Sequence, residues 1–262
     1  MKHIKPYKIF ESKEVIMAGI DNAIDKNNIE LFKDLIEQYS EHIDFKKIKN
    51  HLSWESNNTL PFYEFIPSEH LANIKELDIS YKGVESLKGI EFLYNLEKLS
   101  CRDTWIKSLK GIENLNRLKE LNCSENKYLT SLEYLPKNLL YLKTRACSLE
   151  SLKGIENCTM MTQLNCSDNS IETLKELSGL VDMEKLYVQY NQLTNLDGIQ
   201  NMKLLYTFIC THNNLTTMKN IIYLDSLRDF HFGDNDSLPE EVQLLPDTSI
   251  TLTKRYYSKI AS

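Results

Sequence analysis

The chain has 262 residues, 42% of them hydrophobic, with a formal net charge of −6 and a pI near 5.6. That apolar content can bury a large core, while the acidic balance gives no electrostatic basis for binding nucleic acid or an anionic membrane surface. The opening stretch MKHIKPYKIFESKEVIMAGI has charges scattered through it, and no run of about 18 apolar residues occurs anywhere, so neither a signal peptide nor a membrane-inserting helix is expected.

Residues 1–73 read as a helical N-terminal cap. Val15, Ile16, Ile20, Ala23 and Ile24 share one helical face behind Ser12 as N-cap. Asn28 caps a second helix in which Ile29, Phe32, Leu35, Ile36 and Tyr39 form a stripe of period 3.6. Phe45, Ile48 and Leu52 suggest a third helix. From His51 to His70 the text is aromatic and punctuated by Pro61 and Pro67, as expected of a segment that wraps the open end of a stacked core.

Residues 74–238 are a repeat array. Leu77, Leu99, Leu121, Leu142, Leu164, Leu186, Phe208 and Phe230 are equivalent positions separated by 22, 22, 21, 22, 22, 22 and 22 residues. Self-similarity held this tightly is the signature of a solenoid. In the unit Met161 to Asp182, the period-two pair Leu164 and Cys166 marks a short strand with both side chains inward. Asn169 follows, and Ile171, Leu174 and Leu177 repeat every third residue, as a tight return requires. No unit can bury its own apolar edge, so neighbours must stack with parallel strands about 4.8 Å apart. The asparagine slot holds Asn126, Asn169, Asn191, Asn213 and Asn235, but Lys82, Thr104 and Cys147 in other units.

The strand texts IKELDIS, LEKLSCR, LKELNCSEN, MTQLNCSDN, MEKLYVQYN and LYTFICTHN, with returns such as VESLKGIE, IKSLKGIE and LTNLDGIQ, resemble the leucine-rich repeat family. Within it they are similar to the short 22-residue class of bacterial internalins and of a eukaryotic phosphatase-1 regulator, and the cysteine-bearing strand is similar to one internalin subtype. The resemblance implies an α/β solenoid: a right-handed superhelix of eight repeats whose curved parallel β-sheet lines a concave, partner-binding face without catalytic machinery. LPKNLLYL, where the 21-residue step falls, resembles the Leu-Pro repeats of bacterial effector ubiquitin ligases, although the chain has no room for their separate catalytic domain.

Outward positions on the strands are the candidate binding surface. The first three rungs are ordinary charged surface. Later rungs present Tyr141, Lys143, Arg145, Tyr187, Gln189, Tyr190, Tyr206, Ile209, His212 and His231. Solvent gives no reason to place Tyr187, Tyr190 and Ile209 outward on neighbouring strands, and aromatic residues with arginine nearby have the composition of a protein-binding hot spot. The competing explanation is cross-strand stacking, worth about 0.2–1 kcal/mol a pair. His212 and Asp234, near His231, read as a solvated pair rather than a metal site or an acid–base pair.

Cys101, Cys123, Cys166 and Cys210 occupy one inward slot of different repeats and read as packing groups in a reducing, cytoplasmic setting. Residues 239–262 read as a C-terminal cap, in which TSITLTKRYYSKI alternates like one more edge strand. The expected function is a monomeric, non-enzymatic interaction module, without metal or cofactor, that binds a protein partner. Two alternatives stand beside it: an effector delivered to a host cell by a non-classical route, acting as an adaptor or through residues 1–73, and a structural component of a larger assembly.

Overall fold

A computed structural model describes residues 16, 18–20, 22, 23, 26, 28–39, 71, 72, 74–81 and 83–261. Eight three-residue strands form one parallel sheet in sequential order: β1 (Glu76–Asp78), β2 (Lys98–Ser100), β3 (Glu120–Asn122), β4 (Tyr141–Lys143), β5 (Gln163–Asn165), β6 (Lys185–Tyr187), β7 (Thr207–Ile209) and β8 (Asp229–His231). Leu77, Leu99, Leu121, Leu142, Leu164, Leu186, Phe208 and Phe230 are directly paired across it, the register read from the sequence. Each points inward and is buried, as are the cysteines two residues further on. The sheet is thus one wall of a ladder-like core closed by the returning segments. This is the expected α/β solenoid with eight repeats.

Each coil turns by the same backbone device. The fourth residue after the inward leucine or phenylalanine is left-handed in all eight coils, with φ from 48° at Asp103 to 62° at Glu125, and none of the eight is glycine. Such a conformation costs on the order of 1–3 kcal/mol for a residue with a Cβ, so the surroundings must enforce it. The asparagine that follows does much of this. Asn191 is buried; its Nδ2 donates to the carbonyls of Cys166, one coil back, and Val188, while its Oδ1 accepts the Ile171 N–H. Asn213 and Asn235 repeat the pattern. Where asparagine is missing the substitutes reproduce parts of it. The Cys147 thiol donates to the Cys123 carbonyl at 3.3 Å, and the Thr104 hydroxyl donates to the Cys101 carbonyl at 3.0 Å. Lys82 lies outside the described residues.

A second turn closes the return. Gly89, Gly111, Gly154 and Gly198 all have positive φ, and in each the N–H is accepted by the glutamate or glutamine two residues on. A Cβ at Gly154 would come within 2.5 Å of the Leu132 carbonyl oxygen, so conformation and crowding both demand glycine there. In the coil with the shortened repeat, Tyr134 takes the glycine's place with φ 72°.

In the N-terminal region, helix α1 (Ile29–Tyr39) is present as expected, with Asn28 Oδ1 accepting the Leu31 N–H and with Phe32 and Ile36 buried. Ile16, Ile20 and Ala23 are buried on helical backbone. Ser12, Val15, Ile24, the third helix and the wrapping segment from His51 to His70 lie outside the described residues.

The C-terminal expectation is corrected. After the short helix α2 (Glu240–Gln243), residues 250–261 form helix α3 (Ile250–Ala261), not an edge strand. The alternation of Ile250, Thr251, Leu252 and Thr253 looks like a strand, but the open end of the core needs a cover that leaves no unpaired sheet edge. As a helix, α3 buries Thr253 and Tyr257 four residues apart, the Thr253 hydroxyl donates to the Ser249 carbonyl, and Lys254 Nζ donates to the Leu224 carbonyl at 2.5 Å. Asp247 meanwhile accepts the Phe232 and Gly233 N–H groups beyond β8. Phe208 stacks on Phe230 with centroids 5.7 Å apart, and Phe232 packs tilted against Phe230 at 5.1 Å.

Leu164→Ala should lower stability by about 2–5 kcal/mol in chemical denaturation by opening a cavity mid-ladder. Gly154→Ala is expected to cost on the order of 1–3 kcal/mol. Gly179→Ala is the control: a Cβ there meets nothing within 4 Å, so its midpoint should stay within about 0.5 kcal/mol of the parent.

Candidate functional site

The register of the sheet aligns its outward side chains in rows. The row one residue before the inward position runs Glu76, Lys98, Glu120, Tyr141, Gln163, Lys185, Thr207 and Asp229; the row one after runs Asp78, Ser100, Asn122, Lys143, Asn165, Tyr187, Ile209 and His231. The left-handed turn residues form a further row along the rim where the strands end, so the device that shapes each coil also displays a side chain.

The two halves of this surface differ in how their side chains are occupied. In the first half charges neutralise one another: Lys98 lies 3.2 Å from Glu120 and 3.9 Å from Glu76, Arg102 lies 2.6 Å from Glu125, and Arg145 lies 2.7 Å from Asp168 and 4.0 Å from Glu125. Exposed pairs of this kind contribute at most about 1 kcal/mol each, but they leave few charges unanswered. In the second half Tyr187 and Ile209 are paired neighbours, both half-buried and outward. Beside them the half-exposed Tyr190 stacks on His212 with centroids 4.2 Å apart, and His212 Nε2 lies 3.3 Å from Asp234. Lys185 Nζ sits 5.6 Å from the Tyr206 ring centroid, and its hydrogen bond to Tyr206 raises the lysine's pKa above the ordinary value.

The ten candidate residues therefore divide. Tyr187, Gln189, Tyr190, Ile209 and His212 come together around β6 and β7, with Tyr206 and Lys185 at their edge. Tyr141 and Lys143 lie on β4, on the far side of β5 from this cluster. Arg145 is engaged by Asp168 and Glu125. His231 is held between Asp229, at 3.0 Å, and Asp247 of the C-terminal cap, at 3.4 Å, a contact that no repeat spacing signals because Asp247 arrives from outside the repeats. Among the described residues no group of three histidine, cysteine or acidic side chains is arranged to hold a metal ion.

The comparisons with known proteins accord with this geometry. Residues 94–137 match the family model for leucine rich repeats (2 copies). Internalin C2 of Listeria monocytogenes superposes with a TM-score of 0.60 at 21% identity, covering 76% of this chain and 86% of the internalin. A leucine-rich repeat protein of Leptospira interrogans superposes with a TM-score of 0.55 at 27% identity, covering 68% of this chain and 54% of its own, so this chain spans about half that protein's length. No curated protein matches the chain by sequence. Residues 94–137 thus carry leucine-rich repeats, and the chain as a whole has the leucine-rich repeat solenoid fold of internalin C2. Among the described residues no helix is long and apolar enough to cross a membrane.

All six cysteines are free thiols, and burial shapes their chemistry. Desolvation pushes the Cys166 thiol up to about 12 and the thiols of Cys147 and Cys158 up to about 11, and raises those of Cys101, Cys123 and Cys210. The thiolate is the reactive form, and raising the pKa depletes it at neutral pH. Iodoacetamide should therefore label native protein slowly at pH 8, with all six thiols reacting quickly once denaturant is added, as read by mass spectrometry. Rapid native labelling at Cys166 would contradict its placement in the core.

Proposed function

We propose that this protein is a non-enzymatic interaction module that binds a partner protein on the strand face of its array, chiefly through Tyr187, Tyr190, Ile209 and His212, with Gln189 and Tyr206 beside them and Tyr141, Lys143, Arg145 and His231 bordering the contact. The observation that carries this reading is the contrast along one sheet: ion-paired side chains over the first coils, then the aromatic and aliphatic Tyr187, Ile209 and Tyr190 on and beside β6 and β7, with Lys185 only at their edge. A patch without charge at its centre and with charge around it matches the anatomy of a binding hot spot, in which a few aromatic anchors carry most of the energy. Stacking alone accounts for Tyr190 on His212 but not for Tyr187 and Ile209, whose outward faces gain nothing from water. The buried thiols act as packing groups, which supports a reducing, cytoplasmic setting. The proposed organisation is a cap at 1–73, an array at 74–238 and a C-terminal cap at 239–262.

The double substitution Tyr187→Ala, Tyr190→Ala should weaken binding to a partner isolated with the parent protein by at least about 2 kcal/mol, roughly thirtyfold, while leaving the denaturation midpoint nearly unchanged. Undiminished affinity with the fold intact would place the contact elsewhere.

A further inference from the structure

In five coils the position just before the first buried residue of the return is held in one way. The N–H groups of Trp105, Ser148, Ser170, Gln192 and Asn214 each donate to a carbonyl one coil back: Val84, Leu129, Leu149, Ile171 and Leu193. That bond uses only backbone, and serine, glutamine and asparagine serve it equally well. In the second coil the position carries Trp105, and in the third, where one extra residue precedes it and the bond is not made, it carries Tyr128; the two are 49% and 47% exposed. The coil does not need these rings, and water does not favour them.

Two cations flank the tyrosine. Lys127 Nζ is 5.0 Å and Lys107 Nζ 6.0 Å from the centroid of the Tyr128 ring. Among the described residues neither lysine forms an ion pair, in a chain whose net charge is −6. The nearby Glu125 is already taken by Arg102 at 2.6 Å. One coil earlier Tyr81, 64% exposed, lies under the Arg102 guanidinium at 5.4 Å. The rim beyond β1, β2 and β3 therefore presents an aromatic ridge with two uncompensated positive charges, separate from the cluster on β6 and β7.

We propose that this ridge is a second binding site, for an acidic peptide segment of a partner protein. Its carboxylates pair with Lys107 and Lys127, and an apolar or aromatic side chain of the segment packs on Trp105. Two point charges are too few to hold a polyanionic nucleic acid against an acidic chain, since affinity there scales with the number of phosphates neutralised. Lysines supply charge but no acceptors for hydroxyl groups, which disfavours a neutral glycan. For a short acidic segment, the pairing of charge with an exposed indole suffices.

A random copolymer of glutamate and tyrosine is the probe, with heparin and oligothymidylate as polyanions of the other classes. Fluorescence-detected titration of the full chain should show saturable binding of the copolymer that weakens with added salt. Trp105→Ser with Tyr128→Ser, which removes two exposed rings and leaves the buried core untouched, should weaken it by about tenfold or more with the denaturation midpoint nearly unchanged, and Lys107→Glu with Lys127→Glu should do the same. The Tyr187→Ala, Tyr190→Ala variant should bind the copolymer as the parent does, which separates this site from the strand-face contact. Absence of copolymer binding, indifference to the serine pair, or tighter binding of heparin or oligothymidylate would overturn the proposal.

Discussion

The structure depends on a backbone problem that every coil shares: a three-residue strand must end abruptly, and its polar groups must be satisfied inside a narrow core. The left-handed residue makes the turn, and the buried side chain after it supplies the missing hydrogen bonds. An asparagine can do this completely because one amide offers two donors and an acceptor, bridging the carbonyls of two coils and a backbone N–H in the earlier one. A thiol or hydroxyl manages only part, as Cys147 and Thr104 show. The cost of the left-handed backbone is offset by a ladder of bonds shared between coils, so no coil is stable by itself and the array holds as a stack.

That regularity frees the outward positions. With the inward positions committed to leucine, phenylalanine and cysteine, and the turn to its asparagine, the outward strand positions and the rim residues carry little structural duty. They have been filled in two ways. Over the first coils they are charged and pair with one another; over β6 and β7 they are chiefly aromatic and aliphatic, with Lys185 at the edge. The rim of the second and third coils departs again, with two rings where later coils keep small polar side chains. One scaffold thus displays two chemically different surfaces at opposite parts of its length.

The ends obey a different constraint. A stacked core is open at its last coil, and three devices close it: phenylalanine in place of leucine, Asp247 accepting backbone N–H groups beyond β8, and α3 laying Tyr257 over the core. His231 is drawn into this closure through Asp247, so a residue that belongs by position to the strand face also serves the cap.

The sequence by itself determined the array: the spacing from Leu77 to Phe230 specifies the strand register residue by residue, because a stacked core admits only one alignment of its inward side chains. It also determined which residues face outward, since a strand alternates, and the capping of α1 by Asn28, which is a local hydrogen bond. Only the tertiary structure decided which outward residues remain available. Arg145 and His231 have the same chemistry in either setting, but the carboxylates that occupy them come from a neighbouring coil and from the C-terminal cap. The same holds for α3, where the local preference of Ile250 to Thr253 for a strand yields to the need to cover the core. Trp105 and Tyr128 lie on turns outside the strand alternation, and their exposure on a shared ridge follows from the stacking of coils rather than from any local pattern.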